Sequence, residues 1–362
     1  MSEAPTMSFS PDWVSPPGDT IADLLDERSW TQVEFAIRLG TSRKFVNQLL
    51  SGEASINEAT ALRLERVLGS TTRFWLNREA DYRAALAKRR EIETLRNEVP
   101  WLDEVPVAAM RRMGWIGPQR DKVETVSECL RFFGVGSVEA WRGWASGLKL
   151  TAYRMSDRTG RNFGAIAAWL RHGELQAERI DCAPYSADTF RSRLLELRTL
   201  TLETDPGVFV PRLRSLCAGA GVAAVLAPAP KGCPASGATR WLSPQKALLM
   251  LSLRYKTNDQ LWFSLFHEAG HILRHGKKKM FLELNHEEGR AEEAEADRFA
   301  ANLLIPPKHH RELFSLGPNE RKVVAFAETI GIAPGIVVGR LQHEGLVPYT
   351  HLNGLKVRYT WE

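Results

Sequence analysis

The stretch from residue 258 to 276, NDQLWFSLFHEAGHILRHG, leaves little freedom in how it folds. Leu261, Leu265, Phe266, Ala269, Ile272 and Leu273 recur at helical spacing, so the pattern predicts a helix with one buried face. Asn258 or Asp259 can cap its start, and Gly276 can end it with His275 in the last turn. His267 and His271 stand four residues apart on that helix, where side chains are neighbours at ~5–6 Å. Two imidazoles so placed can converge on one zinc ion at ~2.0–2.1 Å. Glu268 is offset by one helical step and can reach the open side of such a metal. Zinc lowers the pKa of bound water to ~7, and Glu268 could take that proton and hand it to a leaving amine. Gly270 inside the helix costs ~1 kcal/mol relative to alanine, which predicts a close neighbour there. Two histidines on a half-buried face without metal is the alternative for the bare pattern.

A second helix is predicted at RAEEAEADRFAANLLIPP, ending at Pro306-Pro307. Glu292, Glu295, Phe299 and Leu303 share a stripe by spacing. With Phe299 and Leu303 inward, Glu295 also points inward, where an unpaired carboxylate is costly. Zinc would neutralise it, so Glu295 is the expected third ligand. A solvated acidic face near the helix start is the alternative. Asp297 lies on another face and can orient a ligand histidine or face water. His275 is two turns, ~12 Å, from His267 and cannot share a ligand set with both histidines. It suits a dipole partner or a support for a ligand. His286 remains a weaker alternative ligand or a substrate contact.

HEAGHILRHG followed by EAEADRFAANLLIPP resembles the ImmA/IrrE family of metallopeptidases, over about residues 246–307. The resemblance implies a gluzincin-like site, with His267, His271 and Glu295 on zinc and Glu268 as base. It also implies that ALLMLSLRY is an edge strand able to pair with an extended substrate. Family members cleave or inactivate repressor proteins, and some bind zinc without general proteolysis, so enzyme status stays open.

Near the other end, TQVEFAIRLGTSRKFVNQLLSG predicts two short helices around a turn at Leu39-Gly40-Thr41. The second would expose Ser42, Arg43, Lys44, Asn47 and Gln48, side chains suited to base edges and phosphates in the major groove. Gln32 could contact phosphate. The surrounding segment, from PPGDT to FWLNREADY, resembles the XRE/HigA-type antitoxin domain. That implies a five-helix fold, usually a homodimer, on a palindromic double-stranded DNA operator. Net charge is +5 with pI ≈ 9.0, but acids roughly balance bases within this domain, which predicts salt-sensitive binding. A similar pattern at VVAFAETIGIAPGIVVGRLQHEGLV has Pro334 and Gly335 where contact residues would stand, and is expected to pack within the peptidase domain.

The four cysteines, Cys129, Cys182, Cys217 and Cys233, form no C-x-x-C pair, which excludes a zinc finger and favours reduced, buried thiols. No signal peptide or membrane-spanning run is legible, so a cytoplasmic protein with no membrane partner is expected. The expected architecture is mainly α and multidomain. Residues 1–16 form a loosely ordered lead and 17–83 the all-α helix-turn-helix domain. Residues 84–207 form a helical connector whose tryptophans pack a core, and 208–362 an α+β zincin-like domain. Two functional readings stand. One is a DNA-binding regulator with a zinc peptidase that cleaves or inactivates a regulatory protein, a partner repressor or toxin. The other is a non-proteolytic regulator or antitoxin of a toxin–antitoxin system, whose zinc domain is a sensor or binding surface.

Overall fold

The computed structural model describes residues 15–119, 121–152, 163–254, 257–276, 281–282 and 290–360. The chain divides into two compact units, Met1–Glu98 and Val99–Glu362. The lead over 1–16 falls almost wholly outside the described residues, and so does His286.

The first unit is five helices: α1 (Pro17–Glu27), α2 (Gln32–Leu39), α3 (Arg43–Leu50), α4 (Glu58–Leu68) and α5 (Thr72–Asn97). Thr31, Ser42, Asn57 and Thr71 cap α2 to α5, each accepting from a backbone N–H three residues on, which satisfies donors that a helix start leaves open. α2 stops at Gly40, whose φ of 68° is left-handed and suits glycine. Ile21, Phe35, Val46, Ala61, Leu64 and Trp75 are wholly buried and form the core.

The second unit begins with α6 (Val107–Arg112), α7 (Lys122–Phe133), α8 (Val138–Ala152), α9 (Phe163–Glu178), α10 (Ala187–Thr199) and α11 (Pro206–Ala218). Three strands follow, β1 (Val222–Leu226), β2 (Gly237–Ser243) and β3 (Lys246–Leu251), then α12 (Asn258–Arg274) and β4 (Phe281–Leu282). The chain closes with α13 (Arg290–Leu304), α14 (His310–Ser315), α15 (Glu320–Ile330) and α16 (Pro334–His343). The sheet order is β1-β3-β2-β4, with β1 parallel to β3 and the other pairs antiparallel.

Two expectations need correction. The connector over 84–207 is not a separate region. Its first helical turns continue α5, and the rest belongs to the second unit. Ala165, Ile166, Trp169 and Leu170 of α9 pack on Ala223, Val225, Leu248 and Met250, one face of the sheet. Phe190 and Leu194 of α10 join the core on the other face with Ala224, Leu249, Leu265 and Phe266. A half-exposed sheet must be covered, and the helices upstream of 208 supply one cover. Second, β3 is interior rather than an edge. Ala247 through Leu251 are all at most 1% exposed; such a continuous apolar run marks a strand covered on both faces.

Other expectations match. Trp141 and Trp169 are at most 2% exposed, and Trp169 Nε1 donates to the Ala227 carbonyl. All four cysteines are free, three of them buried. Burial pushes the Cys129 and Cys217 thiols up to about 12. α15 and α16 pack inside the second unit, with Ile336, Val337, Val338 and Leu341 buried. Among the described residues no single helix is long and apolar enough to cross a membrane.

Candidate functional site

α12 carries His267, Glu268 and His271 on its buried length. Its start differs in detail from expectation. Thr257 holds the cap position without a side-chain bond, and Asn258 is already helical. Asn258 instead ties α12 to the chain's end, its Oδ1 accepting from Val357 N at 3.2 Å.

α13 packs along α12 at a point where both are thin. A Cβ on Gly270 would stand 3.2 Å from Ala296 Cα, so the residue expected to admit a neighbour faces the ligand-bearing helix. Ala296 and Ala300 are wholly buried and Leu304 is 3% exposed. This stripe of small residues, not Phe299 and Leu303, sets the inward face; those two are only half-buried. Counting back from Ala296 by three gives Glu293.

The consequence is a corrected carboxylate. Glu293, not Glu295, meets the histidines. Its Oε2 lies 3.0 Å from His267 Nε2 and its Oε1 3.5 Å from His271 Nε2, and the two Nε2 atoms are 3.0 Å apart. His267, His271 and Glu293 are the one set of metal-compatible donors within 4.8 Å of one another found among the described residues. Tetrahedral zinc at ~2.0–2.1 Å spaces its donors by about 3.3 Å, so the convergence fits that ion. Glu295 lies two residues on, about 200° around the helix. There it faces Arg274 at 3.9 Å and His275 Nε2 at 3.5 Å.

Each histidine is held from behind. His267 Nδ1 donates to Asp297 Oδ1 at 2.9 Å. His271 Nδ1 lies 2.9 Å from His275 Nδ1. If His271 presents Nε2 to an ion, its Nδ1 carries the proton and His275 Nδ1 accepts. The remaining His275 proton is then on Nε2, the atom 3.5 Å from Glu295 Oε2. Such partners fix ring orientation and tautomer. Burial lowers the His271 pKa, with the Glu293 hydrogen bond opposing it, so the ring is neutral, as a ligand must be. Burial works to raise the Glu293 pKa, but the facing imidazoles of His267 and His271 outweigh it and hold it at about 2.

Glu268 is wholly buried, with its carboxylate against Gly237 of β2, where any side chain would collide. The strand that runs over the base is therefore β2, and β4 pairs with it at Ala238 and Thr239.

In the first unit, Gln32, Ser42, Arg43, Lys44 and Asn47 are exposed, and Gln48 is half-buried. Ser42 is occupied as the cap, its Oγ accepting from Phe45 N at 3.2 Å. The opposite face of α3 buries Val46 and Leu49, so Arg43, Lys44 and Asn47 form one outward surface.

Comparison with known proteins finds one family match within each unit. The family description "Helix-turn-helix" matches residues 21–76, and "IrrE N-terminal-like domain" matches residues 236–342. An uncharacterized HTH-type transcriptional regulator, YddM of Escherichia coli (strain K12), is 33% identical over 73 residues, 20% of this chain and 78% of its own length. A solved structure from Nostoc punctiforme PCC 73102, a candidate antidote protein of a plasmid maintenance system, is 32% identical. It covers 23% of this chain and 94% of its own, with a TM-score of 0.22. The chain belongs to the XRE-type helix-turn-helix family and joins that DNA-binding domain to a C-terminal domain of the IrrE/ImmA-like peptidase family.

Proposed function

We propose that this chain is a DNA-binding regulator whose C-terminal domain is a zinc-dependent peptidase acting on a regulatory protein, a repressor or a toxin. The observation that carries the reading is the convergence of His267, His271 and Glu293, with Glu268, next in sequence to His267, buried on the same helix. Three protein donors would leave a fourth position open on a zinc ion held there, the arrangement of catalytic rather than structural sites. When bound, zinc supplies Lewis acidity at the point where those donors meet. Asp297 and His275 hold the two imidazoles in the tautomer that directs Nε2 inward. Glu268 takes a proton from the attacking water and delivers it to the leaving amine, and its burial against β2 keeps bulk solvent from that transfer. Arg43, Lys44 and Asn47 read an operator from α3, in a homodimer.

The test compares purified wild-type chain with Glu268→Gln. Both are expected to hold one zinc per chain and to bind DNA alike. The variant is expected to capture, uncleaved, a protein that the wild type cuts. Zinc stoichiometry that survives both His267→Ala and Glu293→Ala would sink the ligand assignment.

A second reading follows from Glu268 being wholly buried. A base so enclosed also suits a zinc-responsive regulator without turnover. Partner regulation that persists in Glu268→Gln favours that reading.

A further inference from the structure

A cavity of about 320 Å³ lies among α12, α13 and α16. Phe263, whose ring is 6.2 Å from that of His267, and Asp297, which accepts from His267, both stand in its wall. The wall is amphipathic. Leu304, Ile305 and Ile336 give it buried apolar surface, and Gln260, Arg298 and His343 give it exposed polar side chains.

The charged groups of this wall differ in what they have left to offer. Both Asp259 oxygens and Arg340 Nη1 are sealed inside the protein, out of a guest's reach. Asp259 Oδ2 meets Lys356 at 2.6 Å, and Arg340 Nε meets Glu344 at 2.7 Å, so each of these charges is matched by a neighbour. Asp297 Oδ1 holds His267 Nδ1 at 2.9 Å. Gln260, Arg298 and His343 have no side-chain hydrogen-bond or ion-pair partner among the described residues. All three can donate, and Arg298 is a permanent cation. The acids of the wall are therefore committed, while the groups still free are donors with one unmatched positive charge.

We propose that this cavity is a subsite for a carboxylate on an aliphatic stem, either a glutamate side chain of the polypeptide substrate or the free end of its chain. The stem lies along the aliphatic residues. The carboxylate accepts from the Arg298 guanidinium, a charge-assisted hydrogen bond stronger than a neutral one. A lysine or arginine guest adds a second cation beside Arg298 and finds Asp297 and Glu344 already holding partners. A leucine guest covers the apolar wall and gains nothing from Arg298. The inference rests on the peptidase reading for the guest's being part of a polypeptide; the carboxylate preference rests on the cavity.

The test uses the full-length chain free of metal, so that no carboxylate is drawn to zinc, and reads binding by saturation-transfer NMR titration. The acidic probes are N-acetylglutamate methylamide and N-acetylnorleucine as the free acid. Their uncharged counterparts are the methylamides of N-acetylglutamine and N-acetylnorleucine. At least one acid is expected to bind about fivefold more tightly than its counterpart, the upper range for an exposed ion pair. A preference for the glutamate probe assigns the site to a side chain, and a preference for norleucine acid assigns it to a chain end. Arg298→Glu is expected to remove the preference and to favour N-acetyllysine methylamide instead. Arg298 is exposed, so the substitution does not touch the core. Equal binding of each acid and its counterpart overturns the proposal, and so does an acid preference that survives Arg298→Glu. The peptidase reading is tested apart, with acetohydroxamate on the zinc-loaded chain. Failure of that probe to bind sinks the metal reading, while the acid comparison still decides the cavity.

Discussion

The carboxylates of α13 divide by position on one helix, so their substitutions should differ in kind. Glu293→Gln removes an atom within 3.0 Å of His267 Nε2 and is expected to weaken zinc by more than about a hundredfold. Asp297→Asn and His275→Ala leave the donors but release a ring from behind, and the expected loss is about 10–100-fold each. His275→Gln keeps an oxygen able to accept from His271 Nδ1 and should recover most of it. Glu295→Gln should cost least. Chelator competition measures all of these, and a larger loss at Glu295 than at Glu293 reverses the assignment. His267, Glu268 and His271 are legible in the sequence because four-residue spacing on a helix fixes their geometry without reference to any neighbour. Glu293 is not, because Phe299 and Leu303, the bulkiest apolar residues of α13, point to the wrong inward face. The face is set by how closely the partner helix comes, and Gly270 against Ala296 makes alanines the buried residues. The stripe Glu293, Ala296, Ala300, Leu304 is present in the sequence; the interhelical distance that selects it is not.

At the scale of elements, α9 carries the largest difference between expectation and fold. Its apolar residues give no sign of which surface they cover, since a helix states that it has a buried face but not against what. Trp169 is wholly buried on the sheet, so a chain beginning at residue 208 would expose β1 and β3 on that side. Residues 208–362 alone are expected to be insoluble or molten, and residues 99–362 to fold and hold zinc; circular dichroism and metal analysis of the two fragments check this. Trp169→Ala in the full chain should cost ~3–5 kcal/mol. The same helix carries a pH dependence. His172 stacks on Trp115 with centroids 4.3 Å apart. Burial, with Arg179 adding to it, lowers its pKa from 6.5 to about 4. Above 6.5 the ring is neutral folded or unfolded and contributes nothing. Below 6.5 only the unfolded chain takes up the proton, so stability falls with pH until the folded ring titrates near 4. The ring is only half-buried, so solvent screening reduces the effect to roughly 1–2 kcal/mol. His172→Gln should narrow the drop in melting temperature between about pH 7 and pH 5, measured with chelator present so that zinc loss does not contribute.

For the whole molecule, nothing in the sequence marks a boundary at residue 98 rather than 83, because α5 runs on through AALAKRREIETLRN as a charged helix with few buried residues. The two compact units make a thermodynamic prediction that single-site variants do not. The proposed zinc ligands all belong to the second unit, and a ligand stabilises the cooperative unit that holds it, by about 2.7 kcal/mol at a hundredfold excess over Kd. Calorimetric unfolding is therefore expected to show two transitions, of which zinc raises only the one belonging to residues 99–362. Operator DNA should raise only the other, and Arg43→Ala with Lys44→Ala should abolish that rise while leaving the zinc-dependent transition where it was. A single transition moved by both ligands would mean that the units unfold as one. Binding at α3 and binding at His267 would then be linked, each changing the affinity of the other by the same factor. Titrating DNA affinity with and without zinc measures that factor directly, and a value near one is the expected result.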